Sequence, residues 1–527
     1  MRYLNYKLNK DHVICIVAYF IFDTLLIIFL GSLTSLSLPP YNFFFLNFFT
    51  FSVFFIFLFQ RLKQGIKKSF YYGWLFGFSY FLSSLYWLTI SLSFDQSFNF
   101  LIPVSLIVIP AFLGLFYALC TAIFYLYKPK NILSAFFLFS LLFGLIEFIR
   151  GTVLTGFPWN LVIYSFSEIT SFLSILSIIG TYSLNLIVVS FFTAPALFIF
   201  RKSKKEVVVC IFLLLLPITF FTYGEFLKKN FYNIKEKELP FTVRVIGANI
   251  SLDRYYKNVN AESVINELIS ISSPIEEKKT FFVWPEGIIP NTYEDQLDLY
   301  NDMFEKYFSE NHLIGLGITS RKTMNNDYNY YNSFSIFDSK VNLIDNYNKI
   351  KLVPFGEFVP IENILNKFGL KTITNNIGSF DKGVNRKVIK IEDDLNQINF
   401  LPLICYEIIY SGNLTKNFDF DFILNISEDG WFGKSIGPKQ HFIHSKFRAV
   451  ENGKYIIRSS NNGMAAIINP LGYIENKIDY GVSGYIDLEV IRDFKPTLFS
   501  KYGNNIFFIL ILLYIVLTFS FNRTKNE

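Results

Sequence analysis

Long uninterrupted apolar runs fill the first 225 positions. Seven can be marked, at roughly 13–36, 41–60, 69–92, 100–127, 131–149, 168–200 and 206–224, with an eighth at about 505–521. A helix needs about 20 apolar residues to cross a bilayer, with some slack for tilt. Each run is therefore predicted to be a spanning helix, the sixth being long and the eighth short. Over residues 240–495 the pattern changes. "FTVRVIGANI" (241–250), "TFFVWPEG" (280–287), "HLIGLGITS", "INFLPLICYE" (398–407) and "FDFILNIS" (420–427) read as strands. "AESVINELISIS" (261–272), "YEDQLDLYNDMFEKYFSEN" (293–311) and "GPKQHFIHSKFRAVENG" (437–453) read as helices. "YYNSFSIFD" and "VNLIDNYNKI" suit a hairpin, and "YIIRSS", "MAAIINP" and "GYIDLEV" closing strands. Such mixing predicts α/β layers with helices covering a sheet. The charged stretches 321–328 and 375–397 are predicted to be loops.

Basic residues give the spans a direction. Arg2, Lys7 and Lys10 precede the first run; Arg61, Lys63, Lys67 and Lys68 follow the second; Lys128 and Lys130 follow the fourth. Arg201, Lys202, Lys204 and Lys205 follow the sixth, and Arg523 and Lys525 the eighth. With eight spans all five clusters fall on one side, which the positive-inside rule makes cytoplasmic. The 240–495 region then faces outward. The first run is read as a span rather than a cleavable signal. "FIRGTVLTGFPWNLVIYSFSE" (Phe148–Glu168) interrupts the spans at the outward edge. It is either an interfacial loop with a Trp anchor or a re-entrant, substrate-lining segment.

Composition agrees: 52% of residues are hydrophobic, 64 of the 527 are Phe, and only 17% are charged. The net charge of +6 comes with no basic run interleaved with aromatics, so nucleic acid is not an expected partner. The four cysteines make neither a disulfide framework nor a metal pair. Cys15, Cys120 and Cys210 lie in apolar runs and are expected to pack as small hydrophobes.

Three polar residues end predicted strands: Glu286 after "FFVWP", Lys349 after "DNYN" and Cys405 after "FLPLI". Loops at strand ends project side chains from a rigid scaffold. A nearby ammonium favours thiolate, and a carboxylate can take a proton and return it to a leaving group. Together they could run acyl transfer through a thioester, with the lysine also stabilising an oxyanion. Each has a blander reading: a buried strand-end cysteine, a turn-capping glutamate, a solvated lysine. Lys351 shares one strand face with Lys349, and spacing alone does not select this trio. His441 and His444, at i and i+3 on a helix, could ligate a metal but have no partner motif, and are read as structural.

"WPEG", "NYNKIKLVPFGEFVP" and "LICYE", in this order, closely resemble the carbon–nitrogen hydrolase (nitrilase) superfamily. "RGTVLTGFPWN", "LVPFGEFVP" and "GWFGKSIGPKQHFIHSKFRAVENGKYIIRSSNNGMAAIINPLG" together narrow the resemblance to the apolipoprotein N-acyltransferase family of the bacterial envelope. The resemblance implies a polytopic α-helical membrane domain of about eight spans (1–225), a periplasmic α/β nitrilase-like αββα sandwich (240–495) and a C-terminal span (505–521). It implies Glu286 as general base, Lys349 as catalytic lysine through the pattern Tyr347-x-Lys349-x-x-Leu352, and Cys405 as nucleophile. Glu357 would support the lysine or the acid–base step, and Tyr406 and Glu407 would shape the nucleophile's surroundings. Trp431 matches a substrate-side aromatic. Where the family carries a Trp before the base this chain reads "SLDRYYKN", so Tyr255 or Tyr256 would substitute, Tyr256 being the substrate-binding candidate. The family's Asn-Asp before "WFG" reads Glu428-Asp429, and Glu428 is assigned no role. No cofactor or metal is implied. The implied partners are membrane lipid, a phospholipid acyl donor such as phosphatidylethanolamine, and a diacylated apolipoprotein acceptor, at the bacterial inner membrane. The alternative is a membrane-anchored amidase or nitrilase-type hydrolase.

Overall fold

The computed structural model describes residues 10–257, 259–324, 327–360, 379–393, 396–412 and 414–523. Arg2, Lys7, Lys525 and part of the 375–397 stretch lie outside the described residues. Helices α1 (Lys10–Ser35), α2 (Leu46–Gln60), α3 (Ile66–Leu85), α4 (Ile102–Tyr127), α5 (Ile132–Thr152), α6 (Leu176–Thr193) and α7 (Lys204–Tyr232) follow the seven predicted runs. Seven helices of the described residues, the C-terminal one included, are long and apolar enough to cross a membrane. α2, with 15 residues, is the shorter eighth.

Two runs differ from the expectation. The third leaves α-helix at Leu85 and continues as 3-10 turns over Tyr86–Phe94. The sixth is broken into Thr170–Leu173, α6 and Pro195–Ile199. Within α6 the backbone turns at Gly180, whose φ is +73°, and the Phe499 ring lies 1.9 Å from where a Cβ would sit. Only glycine fits both the left-handed backbone and that contact.

The sandwich begins with β1 (Glu236–Gly247), α8 (Ala261–Ser272) and β2 (Thr280–Val283). α9 (Asn301–Tyr307), β3 (His312–Met324), β4 (Asp327–Phe337) and β5 (Leu343–Asn348) follow. Next come β6 (Ile389–Asp393), β7 (Asn396–Ile404), β8 (Phe422–Glu428) and α10 (Gly437–Asn452). β9 (Tyr455–Asn461), β10 (Ala465–Ile468), β11 (Ile474–Ile478), β12 (Gly484–Arg492) and the apolar helix α11 (Asn505–Arg523) complete the chain. The strand order is β5-β4-β3-β2-β1-β9-β8-β7-β6, with β12 beside β1 and β10-β11 beside β9. β1, β2 and β3 are parallel, as are β7, β8 and β9. Among the described strands one pairing, Gly247 with Ser460, joins the halves, and each is a six-stranded sheet.

Three predicted details change. The described residues of 321–328 are strand rather than loop: β3 runs to Met324 and β4 starts at Asp327, with Arg321 opposite Tyr330 and Thr323 opposite Tyr328. Ladder pairing satisfies the backbone while charged side chains face water. β6 likewise falls inside the 375–397 stretch, as an edge strand on β7, where charged side chains are normal. The 293–311 helix starts as 3-10 turns (Glu294–Tyr300) and is α-helical only over α9.

Between the sheets lie Val243, Phe281, Phe334, Phe400, Leu424 and Ile457. Phe231, from the last turn of α7, is buried in the same core. On the outer face of the first sheet, Phe282, Ile314 and Leu316 pack against Val264, Ile265 and Leu268 of α8. On the outer face of the second, Leu403, Ile423 and Ile456 pack with Phe442 and Phe447 of α10. That cluster runs on without a break to Phe136, Leu184 and Phe507 of the membrane helices. Gln440 of α10 accepts from the indoles of Trp87 (3.2 Å) and Trp159 (3.0 Å) and donates to Pro39 O (3.1 Å). The N–H of Thr181, freed by the break at Gly180, donates to Glu451 Oε1 at 2.8 Å. The outer face of the second sheet and the membrane helices thus share one core.

Candidate active site

Glu286 lies three residues beyond β2, in the turn Trp284–Gly287. β3 passes directly beneath: a Cβ on Gly317 would lie 2.4 Å from Glu286 Cα, so only glycine permits the approach. Lys349 follows the last residue of β5 and Cys405 the last of β7. Cys405 opens a 3-10 turn (Cys405–Ile409) with φ +46°, a left-handed conformation unusual for a side chain with a Cβ.

The structure gathers two carboxylates, an ammonium and the thiol. Lys349 Nζ donates to Glu286 Oε1 (3.1 Å) and Glu357 Oε1 (2.8 Å). Glu357 is fixed in turn by Val353 N, which donates to Oε2 at 2.8 Å. Burial alone would lower the Lys349 ammonium, but Glu286 and Glu357 outweigh it and hold it well above its ordinary value. Burial raises Glu357, with Lys349 opposing and Glu286 reinforcing. The charges of Glu286 and Lys349 both reach Cys405. Burial pushes its thiol well above the usual range, Glu286 adds to the rise, and Lys349 opposes it.

Two further residues complete the frame. Asn332, in mid β4, donates its amide to Glu286 Oε1 (2.7 Å) and Glu357 Oε1 (2.6 Å), and its carbonyl accepts from Lys349 N (2.8 Å). It stands in a strand-like stretch with no turn signal, and sequence reasoning missed it. An Asn between Tyr331 and Ser333 in an aromatic and hydroxyl-rich stretch was the available clue. Glu428 donates its backbone N–H to Glu286 Oε2 at 3.0 Å.

Glu407, fully buried, accepts from Tyr347 Oη (2.8 Å), Ile350 N (3.1 Å), Lys351 N (3.2 Å) and Arg386 (3.2 Å). Its other oxygen takes Ile404 N at 2.9 Å. It therefore ties the strand end carrying Lys349 to the one carrying Cys405. Tyr406 Oη donates to Gly156 O (3.1 Å) and Tyr410 Oη to Thr155 O (2.9 Å). The Phe148–Glu168 segment thus reaches the cysteine's turn. Arg150, paired with buried Glu147, braces that segment by donating to Phe157 O.

Trp431 stacks on Tyr255 (5.3 Å between centroids) and meets Tyr256 (6.4 Å) and Phe94 (6.0 Å) edge-on. Tyr255 Oη donates to Gly287 O at 2.6 Å, whereas Tyr256 is exposed. His441 is buried on Asp429 (2.8 Å) and His444 between Trp159 and Tyr164. Among the described residues no three His, Cys, Asp or Glu gather as a ligand set. Cys120 and Cys210 are buried.

Residues 242–492 match the family described as Carbon-nitrogen hydrolase. Sheet layers and an acid–lysine–cysteine cluster at strand ends fit that class. Residues 30–194 match the apolipoprotein N-acyltransferase N-terminal domain. An apolipoprotein N-acyltransferase of Rhizobium leguminosarum is 31% identical over 89% of this chain and 90% of its own length. That of Agrobacterium fabrum is 31% identical over 94% and 96%. Among solved structures, an amidase from Nesterenkonia sp. overlaps 50% of this chain and 94% of its own at 10% identity, with a TM-score of 0.31. The chain belongs to the apolipoprotein N-acyltransferase family, acyltransferases of the carbon–nitrogen hydrolase superfamily, and is a multi-pass bacterial membrane protein.

Proposed function

We propose that this chain moves a fatty acyl group from a membrane phospholipid to the N-terminal amine of a diacylglyceryl-cysteine in apolipoproteins, through a thioester on Cys405. The observation that carries this reading is the buried Lys349 ammonium shared by Glu286 and Glu357, beside a cysteine held at positive φ. Two carboxylates against one ammonium leave an excess negative charge that can receive a proton. The high thiol pKa makes thiol, not thiolate, the resting form, so a base is needed.

Glu286 takes the Cys405 proton as the sulfur attacks the ester carbonyl. Lys349 stabilises the oxyanion, as buried donors do best when fixed beforehand. The C–O bond breaks, Glu286 protonates the departing alkoxide, and a lysophospholipid leaves. The acceptor amine then attacks the thioester, Glu286 takes its proton and returns one to sulfur, and the amide departs. Glu357 and Asn332 hold Lys349 and Glu286 in place. Phosphatidylethanolamine, through its sn-1 chain, is the proposed donor. Trp431 and Tyr256 would meet substrate. The basic clusters support a sandwich on the outer face of the inner membrane, and the proposed domains are 1–225, 240–495 and 505–521.

Incubating the purified chain with acyl-labelled phosphatidylethanolamine should give hydroxylamine-sensitive label on the protein. Adding a diacylated lipopeptide should move it to peptide. Absence of label on the parent chain, or undiminished label on Cys405→Ala, defeats the mechanism. Release of free fatty acid instead identifies a hydrolase.

A further inference from the structure

Arg254 and Glu428 are 174 positions apart, each with a side chain only 1% exposed, and their charged groups are in direct contact. Every oxygen of Glu428 is occupied. Oε2 takes Arg254 and Asn461 Nδ2 (2.7 Å), and Oε1 takes Gly430 N (2.8 Å). Arg254 also reaches Gly287 O (3.4 Å), Ser251 O (3.0 Å) and the Tyr255 hydroxyl (3.3 Å). The links close into a ring around Glu286. The carbonyl of the next residue, Gly287, is held by Arg254 and Tyr255, and the Glu286 carboxylate by the N–H of Glu428. Trp431, three residues past Glu428, leans on Tyr255 in the same ring.

We propose that Arg254 and Glu428 are a positioning pair. They fix the peptide N–H that grips Glu286 and cancel each other's charge, so that neither adds to the balance that Lys349, Glu357 and Asp429 set at Glu286 and Cys405. This rests on reading Glu286 as base and Cys405 as nucleophile. The other charges facing the two groups are already accounted for. Lys349 and Glu357 contact Glu286 or its partner directly, and Asp429 is held between Arg458 (2.8 Å) and His441 (2.8 Å). An unbalanced Glu428 carboxylate, one residue removed from that contact, would act on Glu286 and Cys405 as an added like charge, and a lone Arg254 as an opposite one.

The test is the pH dependence of Cys405 alkylation by iodoacetamide in the full-length protein, read by mass spectrometry of the Cys405 peptide. Arg254→Gln should move the midpoint up by about one pH unit, and Glu428→Gln down by a similar amount, the scale set by a nearby uncompensated charge. The Arg254→Gln/Glu428→Gln double variant should return close to the parent value. Arg254→Lys, which keeps the charge, should do the same even if Arg254→Gln does not fold. Midpoints that stay put or move in one direction in both single variants overturn the proposal, since general loosening has no sign. Glu286→Gln separates the two readings. An unchanged profile there, with opposite shifts in the pair variants, removes Glu286 as base and leaves the charge-balancing pair standing. A changed profile there, with none in the pair variants, removes the pair.

Discussion

On the first sheet, α8 turns Val264, Ile265 and Leu268 toward the strands and leaves Glu262, Asn266 and Glu267 in water. On the second, every residue of α10 except Lys439 is buried, although nine of the sixteen residues of its sequence, "GPKQHFIHSKFRAVEN", are polar. The first helix shows the apolar stripe of an ordinary surface helix. The second would be read as solvent-facing by the same rule. Its polar groups instead reach across to the membrane segments: Gln440 to Trp87, Trp159 and Pro39, Lys446 to Ser167 O (2.6 Å), Arg448 to Thr181 (2.7 Å) and Glu451 to Thr181. Buried polar groups are stable when each has a partner, and such partners also fix a unique docking geometry. Polarity in α10 therefore encodes attachment rather than exposure.

The comparison can be broken most severely at Glu451. Glu451→Gln strands Arg448, whose Nε lies 2.8 Å from Glu451 Oε2, and weakens the cap on Thr181. Removing one member of a buried pair should cost about 3–5 kcal/mol in unfolding of the detergent-solubilised protein. A loss below 1 kcal/mol, on the order of an exposed ion pair, would mean that α10 is no more committed than α8.

A smaller effect tests burial through pH. Burial holds His444 well below its ordinary pKa, with Arg448 and His441 adding to the depression. Above about pH 6.5 folded and unfolded chains both carry it neutral. Below that the unfolded chain binds a proton that the folded one refuses, so stability falls by up to about 1.4 kcal/mol per pH unit. Chemical denaturation from pH 7.5 to 5 should show that fall, and His444→Phe should flatten it. An identical slope in the variant contradicts a neutral, buried His444. The smallest effect belongs to α8. Asn260 caps it by accepting from Glu262 N (3.0 Å), and Asn260→Ala should lower stability by about 1 kcal/mol with no change in acyl transfer. A larger loss, or lost activity, would show that the first face is also wired into the site.

What could be read in advance follows from how far a signal extends along the chain. Continuous apolar runs located eight apolar helices, seven of them among the described residues long enough to cross a membrane, and the motifs flanking Glu286, Lys349 and Cys405, through their resemblance to a known family, singled out a trio that spacing alone did not select. Asn332 escaped because a buried amide leaves no periodic trace. Arg254 and Glu428 escaped because their partnership crosses 174 positions, although both stand where the sequence departs from the family pattern. The break at Gly180 was hidden inside a run that carries no charged residue between Ile169 and Phe200. The Phe148–Glu168 segment left two readings open, and it is placed against the turn of Cys405 by carbonyls, which every residue type possesses.

One dimension of α7 constrains the rest. Its 29 residues rise about 43 Å, and a bilayer's hydrocarbon core is about 30 Å thick. The surplus of about two turns carries Phe231 into the core between the sheets, and α7 ends at Tyr232, shortly before Glu236 opens β1, making it a strut of fixed height leading into the first sheet. α10 clamps the second half directly to the membrane helices. Adding one turn to α7 would lift one side by about 5.4 Å while the other stayed clamped, tilting the sandwich and shearing apart strand ends now within hydrogen-bond reach. The length of a membrane helix is therefore a tolerance of the active site.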